Sequence, residues 1–219
     1  WMRVTSLIVL CGLAAIFILI TAAAPGRRLP PSVLLFLLLT GFCYLVVEVV
    51  LIAKLELFLQ EPLISMACVV SVLLIASGIG SMNYQKVALR MGVAWFTLFA
   101  AAVVLVDFNL LKLVTYLGMG LPLIARLVLA VVVIVPLGVV LGMFYPCAVN
   151  ALVKGGRESA VPVTYGISTL ASVIGATYAM TMMIQIGFTA LIIEAVSVYV
   201  VTAGLLITFR AIRGEKALL

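Results

Sequence analysis

The chain has 219 residues, of which 67% are hydrophobic and 9% charged, with a net charge of +6 and no histidine. A soluble domain needs far more charge to solvate its surface, so a mean hydropathy of +1.43, with apolar runs that repeatedly approach the roughly twenty residues of a bilayer crossing, describes a polytopic membrane protein. The basic residues lie in short connections where membrane topology explains them, which removes nucleic acid as a partner. Without histidine the usual haem ligand and the commonest zinc ligand are missing, and no cofactor or metal is expected.

The expected fold class is all-α: one transmembrane helical domain over 1–219, of about seven spans. In chain order these are Thr5–Ala24, Ser32–Leu59, Pro62–Met82, Val87–Val106, Leu121–Leu152, Val161–Ile186 and Phe188–Phe209. Proline at the first helical turn loses no hydrogen bond, so Pro30-Pro31-Ser32 and Glu61-Pro62 read as helix entries. Asp107 to Gly120 is amphipathic and too short to span, and predicts a short interfacial helix near 108–119. Pro136 removes an intrahelical bond from the long fifth span and predicts a bend there. Cys11, Cys43, Cys68 and Cys147 fall in four different apolar runs and read as small packing residues. The chain opens on Trp1, with no signal-peptide cleavage pattern, and reads as a segment of a longer polypeptide.

With seven alternating spans, Arg27, Arg28, Lys86, Arg90, Lys154, Arg157, Arg210, Arg213 and Lys216 share one side, against Arg3, Lys112 and Arg126 on the other. The positive-inside rule makes the first side cytoplasmic, with the Trp1 end outside and the Leu219 end inside. A bacterial inner membrane is the expected location.

Charges inside apolar spans are costly, which singles out a possible intramembrane polar site of Glu48, Lys54, Arg126 and Glu194. Lys54 is turned about 240° from Glu48 on its helix, so the Glu48 partner must come from another helix or from water. Two functions are open for this acid: a proton or cation site, or a hydrogen-bonded carboxyl that pins helix packing. Small residues mark the expected helix contacts: Gly78 and Gly80, Gly138 and Gly142, then Ser168, Ser172 and Gly175. Tyr145, Asn150, Tyr165, Thr177, Tyr178 and Gln185 are candidates to line a polar crevice. Nothing resembles a nucleophile with its base, a metal box or a dinucleotide fingerprint, so self-contained catalysis is not expected.

Four stretches together resemble one family, the large integral membrane proteins called spermidine synthase-like. They are Gly41 to Leu51 around Glu48; Leu57 to Pro62 followed by Ser77-Gly-Ile-Gly-Ser81; Gly142-Met-Phe-Tyr-Pro146; and Val161-Pro162 through Gly175 to Gly187-Phe188. The resemblance implies a membrane half that accompanies a Rossmann-type, aminopropyltransferase-like domain lying outside this sequence. It implies a non-catalytic anchor that packs against other membrane subunits. Alternatives are a carrier for a small cation such as a polyamine, using Glu48 and Glu194, and the membrane anchor of an active aminopropyltransferase.

Overall fold

A computed structural model of the chain describes residue 12 and residues 30–213, with side chains as far as 208. The expected first span, Thr5–Ala24, therefore lies outside the described residues except for Gly12. The rest is helical: α1 (Pro31–Leu59), α2 (Pro62–Met91), α3 (Val93–Gly118), α4 (Leu123–Leu141), α5 (Phe144–Lys154) and α6 (Val161–Arg213), with a 3-10 turn at Glu158–Ala160 before α6. Five helical runs are long and apolar enough to cross a membrane: Pro31–Leu59, Pro62–Met91, Val93–Gly118, Leu123–Lys154 and Glu158–Thr208.

Local chemistry sets most of these limits. Pro31 and Pro62 occupy first-turn positions of α1 and α2, where a missing N–H costs nothing. Gln60 ends α1 in the left-handed region, its N–H bonded to the Glu56 carbonyl at 2.9 Å. A single residue, Gly92, connects α2 to α3 at φ 82° and ψ 135°, a backbone conformation that an L side chain resists. The expected boundary between spans at Met82–Val87 is corrected accordingly. No breaker precedes Gly92, so α2 continues through Lys86 and Arg90 and buries Ala88. The next helix starts at Val93 and runs unbroken to Gly118. The interfacial helix expected near 108–119 is thus the last third of α3, and its apolar face continues the buried stripe of Phe96, Ala100 and Val104 through Asp107 and Leu111.

Two further interruptions shape the bundle. The helix runs on through Pro136, and the chain leaves the helix further along, between α4 and α5 at Gly142–Met143. Pro146 has no N–H to return to the Gly142 carbonyl, so the ladder opens one turn ahead of it. In α6 the break is Gly187, at φ 81° and ψ 169°. A straight helix would hold Tyr178 and Glu194 roughly 24 Å apart, yet the Tyr178 hydroxyl donates to Glu194 Oε2 at 2.8 Å. α6 therefore folds back on itself as two antiparallel arms, 161–186 and 188–213.

The core forms around α1, whose most extensive neighbour is α6. Phe36, Leu37, Leu51, Leu55 and Phe58 of α1 are buried almost completely. Two seams bring backbones together. In one, a Cβ added at Gly138 would meet Ala76 Cβ at 2.7 Å, and Gly80 and Gly142 lie directly against the backbones of Val139 and Ser77. In the other, Gly175 lies against the Phe42 carbonyl, and Ser172 Oγ donates to the Gly41 carbonyl at 2.9 Å. Small residues permit this approach where lipid supplies no hydrophobic drive for association. Large apolar side chains point the other way: Leu63, Met82 and Ile184 are each at least 80% exposed.

Candidate functional site

Phe144, the first residue of α5, sits at the α4–α5 break. Its ring meets Phe36 of α1 at 5.8 Å, Phe96 of α3 at 5.3 Å and Tyr199 of the second α6 arm at 5.5 Å, the last nearly parallel. Aromatic contacts of this kind contribute beyond area burial. Beside the clamped break lies a cleft of about 350 Å³ between α1, α2, the α4–α5 junction and the first α6 arm. That is the lower end of the size range of small-molecule sites.

Hydroxyls dominate the polar part of its wall: Thr40 and Tyr44 from α1, Ser77 and Ser81 from α2, Tyr145 from α5 and Ser172 from α6. Leu37, Leu74, Leu141, Phe144 and Pro146 supply the apolar part. Three of the hydroxyls have already spent their proton. Thr40 donates to the Phe36 carbonyl at 2.6 Å, Ser77 to Leu74 at 3.0 Å, and Ser172 to Gly41 and Ser168 at 2.9 Å each. What they turn to the cleft is lone pairs. Gly142 also borders the cleft, and its carbonyl has no helical donor because residue 146 is proline. The wall accordingly offers more acceptors than donors.

Glu48 is half-buried on α1. Seven residues beyond Gly41 and four beyond Tyr44, it shares their helix face, one turn past the residues that line the cleft. Glu194 stands apart: it is exposed on the second α6 arm, and its partner is Tyr178, which also packs on Phe42 at 5.5 Å. That arm meets α1 at Cys43, whose Sγ lies 3.8 Å from the Ala195 carbonyl, about 140° around α1 from Glu48. The two acids therefore face different neighbours.

Lys54 and Arg126 lie at the far end of the bundle, with the turn at Gly187. Lys54 Nζ stands 4.6 Å from the Phe188 ring centroid and 5.8 Å from that of Phe108, while Lys112 Nζ is 4.6 Å from Phe108 on its other approach. Arg126 gives its guanidinium to carbonyls: Leu121 at 2.9 Å, Phe58 at 3.1 Å, and Met119. It ties the α3–α4 turn to the end of α1. Of the small residues, Gly80, Gly138, Gly142, Ser168, Ser172 and Gly175 lie in the two seams, whereas Gly78 faces the cleft with no atom within 4 Å of an added Cβ. Of the expected crevice, Tyr145 lines the cleft and packs edge-on against Tyr165 at 6.1 Å.

Sequence reasoning passed over Asp107. It is 5% exposed, and its Oδ2 has no hydrogen-bond partner among the described residues. Its signal was the i, i+4 stripe of Phe96, Ala100 and Val104, legible once Gly92 is taken as the helix start. Thr40 was passed over because a hydroxyl in an apolar run carries no spacing signature, and Ser77 was read only as part of the small-residue stretch to Ser81.

Among the described residues no group of three metal-ligating side chains converges. No family model, no curated protein and no solved structure matches the chain.

Proposed function

We propose that this chain is a non-catalytic membrane module that anchors a spermidine synthase-like protein and packs against partner subunits in a bacterial inner membrane. Its Trp1 end lies outside and its Leu219 end in the cytoplasm. The carrying observation is the division of surfaces: the close seams are spent inside the chain, and large apolar side chains face outward along the spanning helices. Such a surface fits lipid and the flanks of other membrane helices. The family assignment draws on the four stretches given above. If the attached domain is an active aminopropyltransferase, the module is its anchor.

Carbonate extraction of bacterial membranes, followed by co-purification in mild detergent, tests this. The chain is expected in the carbonate pellet with other membrane subunits bound in fixed ratio. Release by carbonate would overturn membrane embedding, and a lone chain from native membranes would overturn the partner role.

A second reading, a carrier for a small cation, is favoured by the cleft at the α4–α5 break. Interrupted helices that line cavities are a recurrent site of cation coordination in secondary transporters. In this reading the counter-charge is Glu48 alone, since Glu194 is engaged by Tyr178 on another flank. Substrate-dependent flux into proteoliposomes, abolished by Glu48→Gln, is its expected result; equal flux in the variant would sink it.

A further inference from the structure

We infer that the cleft at the α4–α5 break binds a small aliphatic primary ammonium ion. The head sits among hydroxyl and carbonyl oxygens, the alkyl part lies against Leu37, Leu74 and Leu141, and Glu48 supplies the counter-charge. The inference deepens the small-cation reading above, and goes beyond the module reading, which requires no ligand.

Four features of the wall select this chemistry. First, the protons of Thr40, Ser77 and Ser172 are committed to helix carbonyls, so these oxygens accept and do not donate. The Gly142 carbonyl, left without its helical donor by Pro146, adds another acceptor, while Tyr44, Ser81, Tyr145 and Ser168 can rotate either way. A ligand rich in N–H donors and without acceptors matches this set, and a –NH₃⁺ group has three donors. Second, among the described residues no lysine or arginine borders the cleft, so an anion would meet oxygen lone pairs with no charge from them to offset it. Third, about 350 Å³ far exceeds one dehydrated alkali ion, which needs a tight oxygen cage, and half of the wall is aliphatic or aromatic. An alkyl chain of a few carbons fills that part. Fourth, the Tyr145 ring borders the cleft, and an aromatic ring is favourable to a cation. Glu48 follows Tyr44 by one turn on the same face of α1, just beyond the residues that line the cleft, and a single acid there matches a single positive charge, and so a monoamine.

Gly78 allows the cleft to be filled without disturbing the fold. It borders the cleft, an added Cβ there meets nothing within 4 Å, and glycine is a poor helix residue that a leucine improves on. Gly166 is equally open but does not border the cleft, and serves as the control.

The test is equilibrium binding of radiolabelled n-butylammonium to the full chain in nanodiscs, with n-butanol as the neutral competitor. Saturable binding is expected that n-butanol does not displace, that Gly78→Leu weakens by about tenfold or more, and that Gly166→Leu leaves unchanged. Glu48→Gln is expected to weaken it by about tenfold, an independent check should Gly78→Leu fail to fold. Absence of saturable binding, displacement by n-butanol, or unchanged affinity in both Gly78→Leu and Glu48→Gln would overturn the site. Flux is scored separately: saturable binding without flux upholds the site and removes the carrier reading.

Discussion

The chain interrupts its helices in two very different ways. Between α4 and α5 the break lies inside the bundle, the chain continues into α5, and three rings from three helices hold Phe144 at the opening. At Gly187 the break lies at one end, the chain reverses, and the neighbourhood is polar: Lys54 stands over Phe188, and Arg126 binds three carbonyls nearby. An interruption among apolar helices must find partners for its freed backbone groups or line a polar space. The inner break does the latter, beside the hydroxyl-rich cleft. The outer one is placed where the aqueous interface meets the membrane in the proposed topology.

The sharpest way to break this comparison is Phe144→Ala. If the inner break depends on its aromatic clamp, removing a buried phenyl ring should cost about 3–5 kcal/mol. Titration with SDS in mixed micelles would show this as a lower unfolding midpoint. A loss below about 1 kcal/mol would mean that Pro146 alone sets the break, since it deletes the bond to Gly142 regardless of packing.

The outer end should respond to loss of polarity instead. Arg126→Met keeps much of the side-chain length over Phe58, where the guanidinium carbon now lies 5.9 Å from the ring centroid, but removes the hydrogen bonds to Phe58, Met119 and Leu121. A hydrogen bond to a charged group contributes roughly 1.5–3 kcal/mol, and less where water can replace the partner, so about 2 kcal/mol in all is expected for this partly exposed group in the same titration. Faster hydrogen exchange at 119–123, with α5 unchanged, would place the loss at this turn. Equal acceleration at both interruptions would show that they are one cooperative unit.

These two regions also show what a single sequence discloses. The spans beginning at Pro31 and Pro62 were legible because a proline at a first turn has one structural meaning there. Gly187 fell between two expected spans, Val161–Ile186 and Phe188–Phe209, and the backbone does leave the helix at that residue. Interior breakers were harder. Pro136 and Pro146 look alike in sequence, and the helix continues through the first and opens ahead of the second, where Gly142 lies against the Ser77 backbone and Phe144 finds its three rings. Those determinants are tertiary. The same applies to the site: Glu48 stands out as an acid in an apolar run, whereas Thr40, Ser77 and Ser172 become acceptors only through hydrogen bonds that the folded helices define.

Gly187→Val sharpens the outer half alone. An added Cβ meets nothing within 4 Å there, so any penalty comes from the backbone, held at φ 81° and ψ 169°. Forcing a β-branched residue into that region costs about 1–3 kcal/mol. The loss should appear as separation of the α6 arms, measured by spin-label distances between 178 and 194 after cysteine substitution in a background lacking the native cysteines. An unchanged distance and midpoint would mean that the reversal is imposed by arm packing against α1, with glycine merely tolerated.

The smallest expected effect belongs to Tyr178→Phe. The lost hydroxyl donates to Glu194 across the two arms at 2.8 Å, and single side-chain hydrogen bonds in membrane proteins average about 0.6 kcal/mol. The carboxyl of Glu194, facing outward among apolar side chains, then keeps no partner from residue 178, so the cost should rise toward about 1–2 kcal/mol if lipid surrounds it and stay near the average if water reaches it. Glu194→Gln in the Tyr178→Phe background separates the two cases. Recovery of stability on neutralising the acid identifies a desolvated carboxylate, and no recovery identifies one that water already serves.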